Sequence, residues 1–256
     1  MAGTNEKALI HEVIPVGMLQ CNCSIVGDPV TREAIVIDPG EEVERILAAL
    51  AKHRLTVKAI LSTHAHIDHV GGLKQLHDVT GAPVLMNEGD LEMYRDMDLQ
   101  ARFLGVAPPP LAKIDNLLNE GDTVRWGNYQ ARVLHTPGHS LGSISLYLPS
   151  SMNTGASANE RDANGIALPR GDSEKSRIAA RDKHPNVRLP WLFAGDTLFA
   201  RSIGRTDLWG GSYPEIIRSI RLKLLTLPEE TIVFPGHGPA TTLAEERETN
   251  PFLQPH

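Results

Sequence analysis

The chain has 256 residues, 41% of them hydrophobic and 22% charged, which suits one large domain or two small ones and excludes wholesale disorder. Its 25 Lys and Arg against 31 Asp and Glu give a net charge of −6, so it carries no basic footprint for nucleic acid and no cationic run for a membrane surface. No apolar run approaches transmembrane length, and residues 1–7 lack the apolar core of a signal peptide. The two cysteines, Cys21 and Cys23, are too close in an extended segment for an easy disulfide. They read as reduced thiols of a cytoplasmic protein, and as a Cys-x-Cys metal site they have no partner cysteines.

Residues 9–14 and 23–26 read as strands of an opening meander, and Ala34 to Asp38 as a buried strand closed by Pro39-Gly40. A helix follows. Val43, Ile46, Leu47 and Leu50 recur at helical spacing, and Glu41, Glu42 and Glu44 lie in its first turn, where the helix dipole favours acids. Residues 57–62 form a short buried strand that leads into Thr63-His64-Ala65-His66-Ile67-Asp68-His69. A helix from about residue 72 to 79 ends at Gly81, a C-cap, and residues 83–86 form the next strand. Residues 89–104 predict one helix with Leu91, Tyr94, Met97, Phe103 and Leu104 inward, broken by Pro108-Pro109-Pro110.

A hairpin turns at Gly127-Asn128, and its second strand runs into Thr136-Pro137-Gly138-His139-Ser140. Residues 143–148 make another strand. Residues 150–190 are rich in Ser, Asn, Gly, Asp, Arg and Lys, and predict a mobile surface insertion within one domain spanning 1–256. Residues 191–194 deliver Gly195-Asp196-Thr197. Ser212 and Glu215 have capping-box spacing and open a helix with Ile216, Ile217, Ile220 and Leu224 on one side. A last strand at 231–234 delivers Pro235-Gly236-His237-Gly238. Strand and helix alternate through the first half, which points to a layered α/β domain. No repeat of fixed period is present.

The chemistry gathers at the strand ends. In an extended chain, side chains at i and i+2 share a face, so His64 and His66 converge, while Asp68 and His69 follow as the chain turns and face a second point. A lone histidine is more often structural than a ligand. Four ionisable groups crowded at one strand end are costly to bury unpaired, and imidazole and carboxylate are what a divalent metal such as zinc prefers. His139, Asp196 and His237 each follow a strand beside a glycine, and strand ends of a layered α/β fold gather at one edge. The combined set exceeds what one metal needs and suggests two metals with a shared ligand. His11, His53, His77, His135, His184 and His256 read as structural or exposed, with His135 nearest the site in sequence. Neither a Gly-x-Ser-x-Gly elbow nor a phosphate loop nor a dinucleotide glycine pattern occurs.

Taken together, His64-Ala65-His66-Ile67-Asp68-His69, Thr136-Pro137-Gly138-His139-Ser140, Gly195-Asp196-Thr197-Leu198-Phe199 and Pro235-Gly236-His237-Gly238 resemble the metallo-β-lactamase superfamily. Ile37-Asp38-Pro39-Gly40, Gly204-Arg205-Thr206-Asp207 and the tail from Thr241-Thr242 to Thr249-Asn250-Pro251-Phe252 are most similar to its glyoxalase II branch. That resemblance implies an αββα sandwich with metals at one edge between two sheets. It implies that His64, His66 and His139 hold one metal, that Asp68, His69 and His237 hold a second, and that Asp196 bridges them. The expected cofactors are two divalent ions, zinc first, with iron or manganese also accepted by such ligands. The implied reaction is attack of a metal-bridging hydroxide, oriented by Asp68 and Asp196, on a thioester such as S-lactoylglutathione. The implied partner is a small molecule, with neither nucleic acid nor membrane.

The sequence also departs from family patterns. Asp196 stands where the best-known zinc β-lactamases have Cys, and His66 stands where flavodiiron sites have Glu. The C-terminal helical domain of the larger glyoxalase II enzymes is not expected, because 19 residues follow His237 in the sequence. Arg205 occupies the position of a basic glutathione contact. It is a candidate for a substrate carboxylate, with equal weight on a structural salt bridge to Asp207. The alternative function is a mononuclear iron persulfide dioxygenase. Those enzymes share the fold and the Gly-Arg-Thr-Asp loop, and hold iron with the counterparts of His64, His139 and Asp196. They read Pro-Ala-His-Asp-Tyr where this chain has Pro235-Gly236-His237-Gly238-Pro239.

Overall fold

The computed structural model describes residues 8–150 and 189–254. Strands β1 (Ile10–Val16), β2 (Cys21–Gly27), β3 (Glu33–Ile37), β4 (Thr56–Leu61), β5 (Val84–Met86) and β6 (Asn116–Leu117) make one six-stranded sheet in sequence order. The first three pair antiparallel as a meander, and β3 to β6 pair parallel. Parallel neighbours need a crossover. Helix α1 (Val43–His53) makes it between β3 and β4, and the short α2 (Ile67–Val70) and α3 (Leu73–Thr80) make it between β4 and β5. The second six-stranded sheet contains β7 (Thr123–Trp126), β8 (Tyr129–His135), β9 (Ile144–Leu148), β10 (Trp191–Gly195), β13 (Ile232–Pro235) and β14 (Thr241–Thr242), in the order β14-β13-β10-β9-β8-β7. A small hairpin of β11 (Leu198–Phe199) and β12 (Ser202–Ile203) follows β10.

Side-chain alternation along the strands builds the layers. On β3, Ala34 and Val36 face the helices with Ile46, Leu50, Leu73 and Leu76, while Ile35 and Ile37 face the other sheet. There they meet Trp126, Val133, Ile144, Leu146 and Phe193, all buried. On β10 the pattern reverses around Phe193. Leu192 and Ala194 turn outward to Ile216, Ile220, Leu224 and Leu243, on the chain from α6 (Tyr213–Ser219) to α7 (Leu243–Thr249). Burying each of these large side chains contributes roughly 1.5–3 kcal/mol. Helices outside two facing sheets make an αββα sandwich, as expected. Among the described residues no helix is long and apolar enough to cross a membrane.

Three local expectations are corrected. The single helix over 89–104 is a 3-10 turn (Glu88–Asp90) followed by α4 (Leu91–Arg95) and α5 (Met97–Leu104), divided at Asp96. The buried stripe of α5 is Met97, Gln100 and Ala101, and Phe103 lies off it, so Phe103 is 63% exposed rather than inward. Ser212 is the N-cap of α6, but its side chain makes no cap hydrogen bond. Its backbone N–H donates instead to the Gly138 carbonyl at 2.8 Å, tying the helix start to the loop that carries His139. The insertion expected at 150–190 lies, apart from its ends, outside the described residues, as do His184 and His256.

Candidate metal centre

All seven sequence-predicted ligands meet at one edge of the sandwich. The chain leaving β4 carries His64, His66, Asp68 and His69, and the segments after β8, β10 and β13 carry His139, Asp196 and His237. Three trios could each hold a metal ion, with ligand atoms all within 4.8 Å of one another: His64, His66 and His139; His64, His69 and Asp196; Asp68, His69 and His237. In the first, His139 Nε2 lies 3.1 Å from His64 Nε2 and 2.8 Å from His66 Nδ1. In the last, His237 Nε2 lies 3.2 Å from His69 Nε2 and 3.1 Å from Asp68 Oδ2. Asp196 stands between the groups. Its Oδ1 is 3.5 Å from His69 Nε2, and its Oδ2 is 3.6 Å from both His139 Nε2 and His237 Nε2.

The hydrogen bonds on the far side of each ring decide which nitrogens point inward bare. His139 Nδ1 donates to the Arg205 carbonyl at 2.8 Å, and His237 Nδ1 to the Leu19 carbonyl at 3.0 Å. His69 Nδ1 donates to Asp38 Oδ2 at 3.0 Å. The Thr63 hydroxyl donates to Asp38, so it accepts from His64 Nδ1 at 3.1 Å. A neutral imidazole has one proton, and in His64 and His139 it sits on Nδ1. Their Nε2 lone pairs therefore face each other at 3.1 Å, where without a cation they would repel. The Asp196 Oδ1 atom is buried and has no hydrogen-bond partner among the described residues. Bare nitrogens beside unpartnered carboxylate oxygen are the donor set of a borderline divalent cation, and the residues fit one.

The electrostatics agree. Burial first, then the neighbouring imidazoles, hold His64 well below the usual histidine value and His66 down to about 3, so both are neutral, the form that ligates. At His69 burial acts downward but Cys21, Asp196, Asp68 and Asp38 outweigh it, and the pKa is raised. At Asp68 burial acts upward and is outweighed by His69 and His237, so its carboxyl stays ionised. The same carboxylate field that favours a proton on His69 favours a cation beside it.

Partners outside the predicted set brace the loops. Asp38, at the end of β3 with φ 52°, accepts from the Thr63 N–H and hydroxyl as well as from His69. Asp90 accepts from the Ala65 N–H, between His64 and His66, and from the Ser140 hydroxyl and Gly142 N–H just after His139. Gln100 accepts from the Ile67 N–H and donates to the Ala65 carbonyl. Asp38 was visible as a strand-end acid before Pro39-Gly40. Asp90 and Gln100 carry no local signal, because the partners by which they hold the candidate ligand loops are 25 to 52 residues away. Two glycines make the crowding possible: a Cβ at Gly40 would lie 1.7 Å from the Asp68 carbonyl oxygen, and one at Gly204 would lie 1.7 Å from that of Asp196.

A cavity of about 440 Å3 opens onto the centre, reaching His66, Asp68, His139, Asp196 and His237. Arg205 also lines it, but its side chain pairs with Asp207 through Nε at 2.8 Å and Nη2 at 2.9 Å. The salt bridge weighed for Arg205 is therefore formed. The other described histidines stay out of the cluster: His11 packs among aromatic rings, His53 contacts Glu12, His77 the Ala82 carbonyl, and His135 the Leu141 carbonyl. Cys21 and Cys23 are both free and buried; Cys21 Sγ lies 3.5 Å from His69 Nδ1, and burial pushes its thiol up to about 12.

Known proteins are similar to nearly the whole length of the chain. The chain is 34% identical to BLEG-1, described as a B3 metallo-beta-lactamase, at a TM-score of 0.75, covering 96% of this chain and 100% of that one. It is 35% identical to TTHA1623 in a di-iron-bound form, at a TM-score of 0.69, covering 94% and 100%. It is 32% identical to the hydroxyacylglutathione hydrolase GloC of Haemophilus influenzae over 244 residues, 94% of this chain and 97% of that one. The family model of the metallo-beta-lactamase superfamily matches residues 16–151 and 188–237, which contain every residue of the cluster. The chain belongs to the metallo-β-lactamase superfamily, whose members use divalent metals.

Proposed function

We propose that the protein is a binuclear metal-dependent hydrolase of the glyoxalase II type, cleaving a small thioester such as S-lactoylglutathione. The observation that carries this is the position of Asp196, with one oxygen toward His69 and the other toward His139 and His237. It supports His64, His66 and His139 as one ligand group, Asp68, His69 and His237 as the second, and Asp196 as the shared carboxylate. Two divalent cations held by these residues would supply a water of lowered pKa and polarise the carbonyl under attack. Asp68 and Asp196 would accept hydrogen bonds from that water and orient it. A thiolate with a pKa of about 8.5 leaves without needing a general acid. The likeness to GloC and the 33% identity to YqgX of Bacillus subtilis, described as a probable metallo-hydrolase, support hydrolysis. Zinc is the first choice of metal; the di-iron form of TTHA1623 supports iron as well. The two free, buried thiols support residence in the cytoplasm.

The test is turnover of S-lactoylglutathione by metal-reconstituted protein, together with metal content. Close to two ions per chain is expected. One iron per chain, with oxygen consumed on adding glutathione persulfide, would instead establish the persulfide dioxygenase. A second hydrolytic reading, opening of a β-lactam ring, is favoured by the likeness to BLEG-1. Turnover of a chromogenic cephalosporin faster than any thioester would establish it.

A further inference from the structure

Phe103 and Trp209 are large aromatic side chains that the fold leaves in solvent. Phe103 is 63% exposed and Trp209 37%, and their rings meet edge to face at 5.8 Å beside the cavity. Leu19, 44% exposed, lines the same mouth. The helical stripe of α5 does not need Phe103, which lies off its buried side. Exposed apolar groups gathered at a concave site are what a ligand covers.

The polar groups around this wall are already committed. Gln100 spends its amide on Ile67, Ala65 and Met93, and Ser202 donates to the Ile203 carbonyl. The Arg205 guanidinium faces Asp207 with two hydrogen bonds, so the charge at the mouth is neutralised. Among the described residues lining the cavity, no other Lys or Arg occurs. A peptide-like carrier with ionised carboxylates finds no unpaired cation among the described residues here, and desolvating it against Phe103 and Trp209 is unfavourable. An apolar arm loses nothing and gains aromatic contact.

We infer that Phe103 and Trp209 are specificity-determining residues that receive an apolar arm of the substrate, so that the preferred substrates are thioesters of an apolar thiol rather than of glutathione. This rests on the thioester hydrolase reading. The geometry gives the division of labour: the metal cluster holds the reacting carbonyl, and the aromatic pair holds what lies beyond the sulfur.

The test compares S-benzyl thioacetate with S-acetylglutathione, which share an acyl group, on the metal-reconstituted full chain. Each rate is normalised to its hydroxide hydrolysis. The expected kcat/KM is at least about tenfold higher for the benzyl thioester, and Phe103→Ala or Trp209→Ala shrinks that preference about tenfold, through KM, while Trp209→Phe restores most of it. Equal or better turnover of S-acetylglutathione overturns the inference and leaves the hydrolase reading standing. Should neither of these thioesters turn over, the hydrolase reading stands or falls on S-lactoylglutathione, and calorimetry decides the wall separately. Phenylmethanethiol should then bind the wild type more tightly than glutathione, and lose that advantage in Phe103→Ala. Equal binding of the two thiols overturns the inference.

Discussion

Asp38 Oδ2 stands 3.0 Å from His69 Nδ1, on a residue whose backbone is held at φ 52°. One carboxylate thus fixes the ring on which two of the candidate metal trios depend. Asp38→Asn keeps a residue type that tolerates this backbone but removes the charge that anchors the ring. It is expected to weaken metal affinity about 10–100-fold at the group formed by Asp68, His69 and His237. Competition against a chromogenic chelator reads this, and unchanged affinity for both ions would remove Asp38 from the centre.

Asp196 is the only carboxylate placed within reach of histidines from both groups among the described residues. Asp196→Ala should lose metal from both groups and, with it, activity. Full activity in that variant would overturn the assignment of Asp196 as the shared ligand.

Removal of metal should destabilise the fold. The inward Nε2 atoms of His64 and His139, 3.1 Å apart, are mutually repulsive without a cation. A ligand that binds only the native state adds about 2.7 kcal/mol when present at 100 times its Kd. A chelator is expected to lower Tm by several degrees, and stoichiometric zinc, iron or manganese to restore it. A Tm indifferent to chelation of fully loaded protein would contradict the packing described for the cluster.

His11 offers a pH prediction far from the centre. Its ring meets Trp191, Phe193 and Phe234, and burial first, opposed by Glu12, lowers its pKa to about 4. An unfolded chain takes up the proton near pH 6.5 and the native state near pH 4. Stability contributed by the neutral ring is therefore fully present above about pH 6.5, and is lost as pH falls from there toward 4, by about 3 kcal/mol at most. His11→Phe cannot titrate. Its urea midpoint should fall less than that of wild type between pH 7.5 and pH 4.5, and parallel declines would refute the effect.

The cluster was legible because each of its members follows a short apolar strand, and because four ionisable groups at 64–69 are costly to bury at one strand end unpaired. The layers were legible for the same reason: Ala34 to Ile37 alternates between two cores. What escaped was set by distant contacts. Asp90 braces two ligand loops that meet only in three dimensions, and the break at Asp96 has no Gly or Pro beside it to signal it. Phe103 was misplaced because an apolar residue on a helix reads as core, whereas here it faces a cavity. Strands of two residues, such as β6, β11, β12 and β14, are too short to show a period.

The seven candidate ligands are divided between the two sheets: four leave β4 of the first, and three leave β8, β10 and β13 of the second. Neither half alone can assemble a complete trio around Asp196. Cation affinity is therefore a measure of whether the sheets have docked. During refolding, ions should be captured only at the last step and should leave the early rates alone, while slowing the separation of the two halves once they have closed.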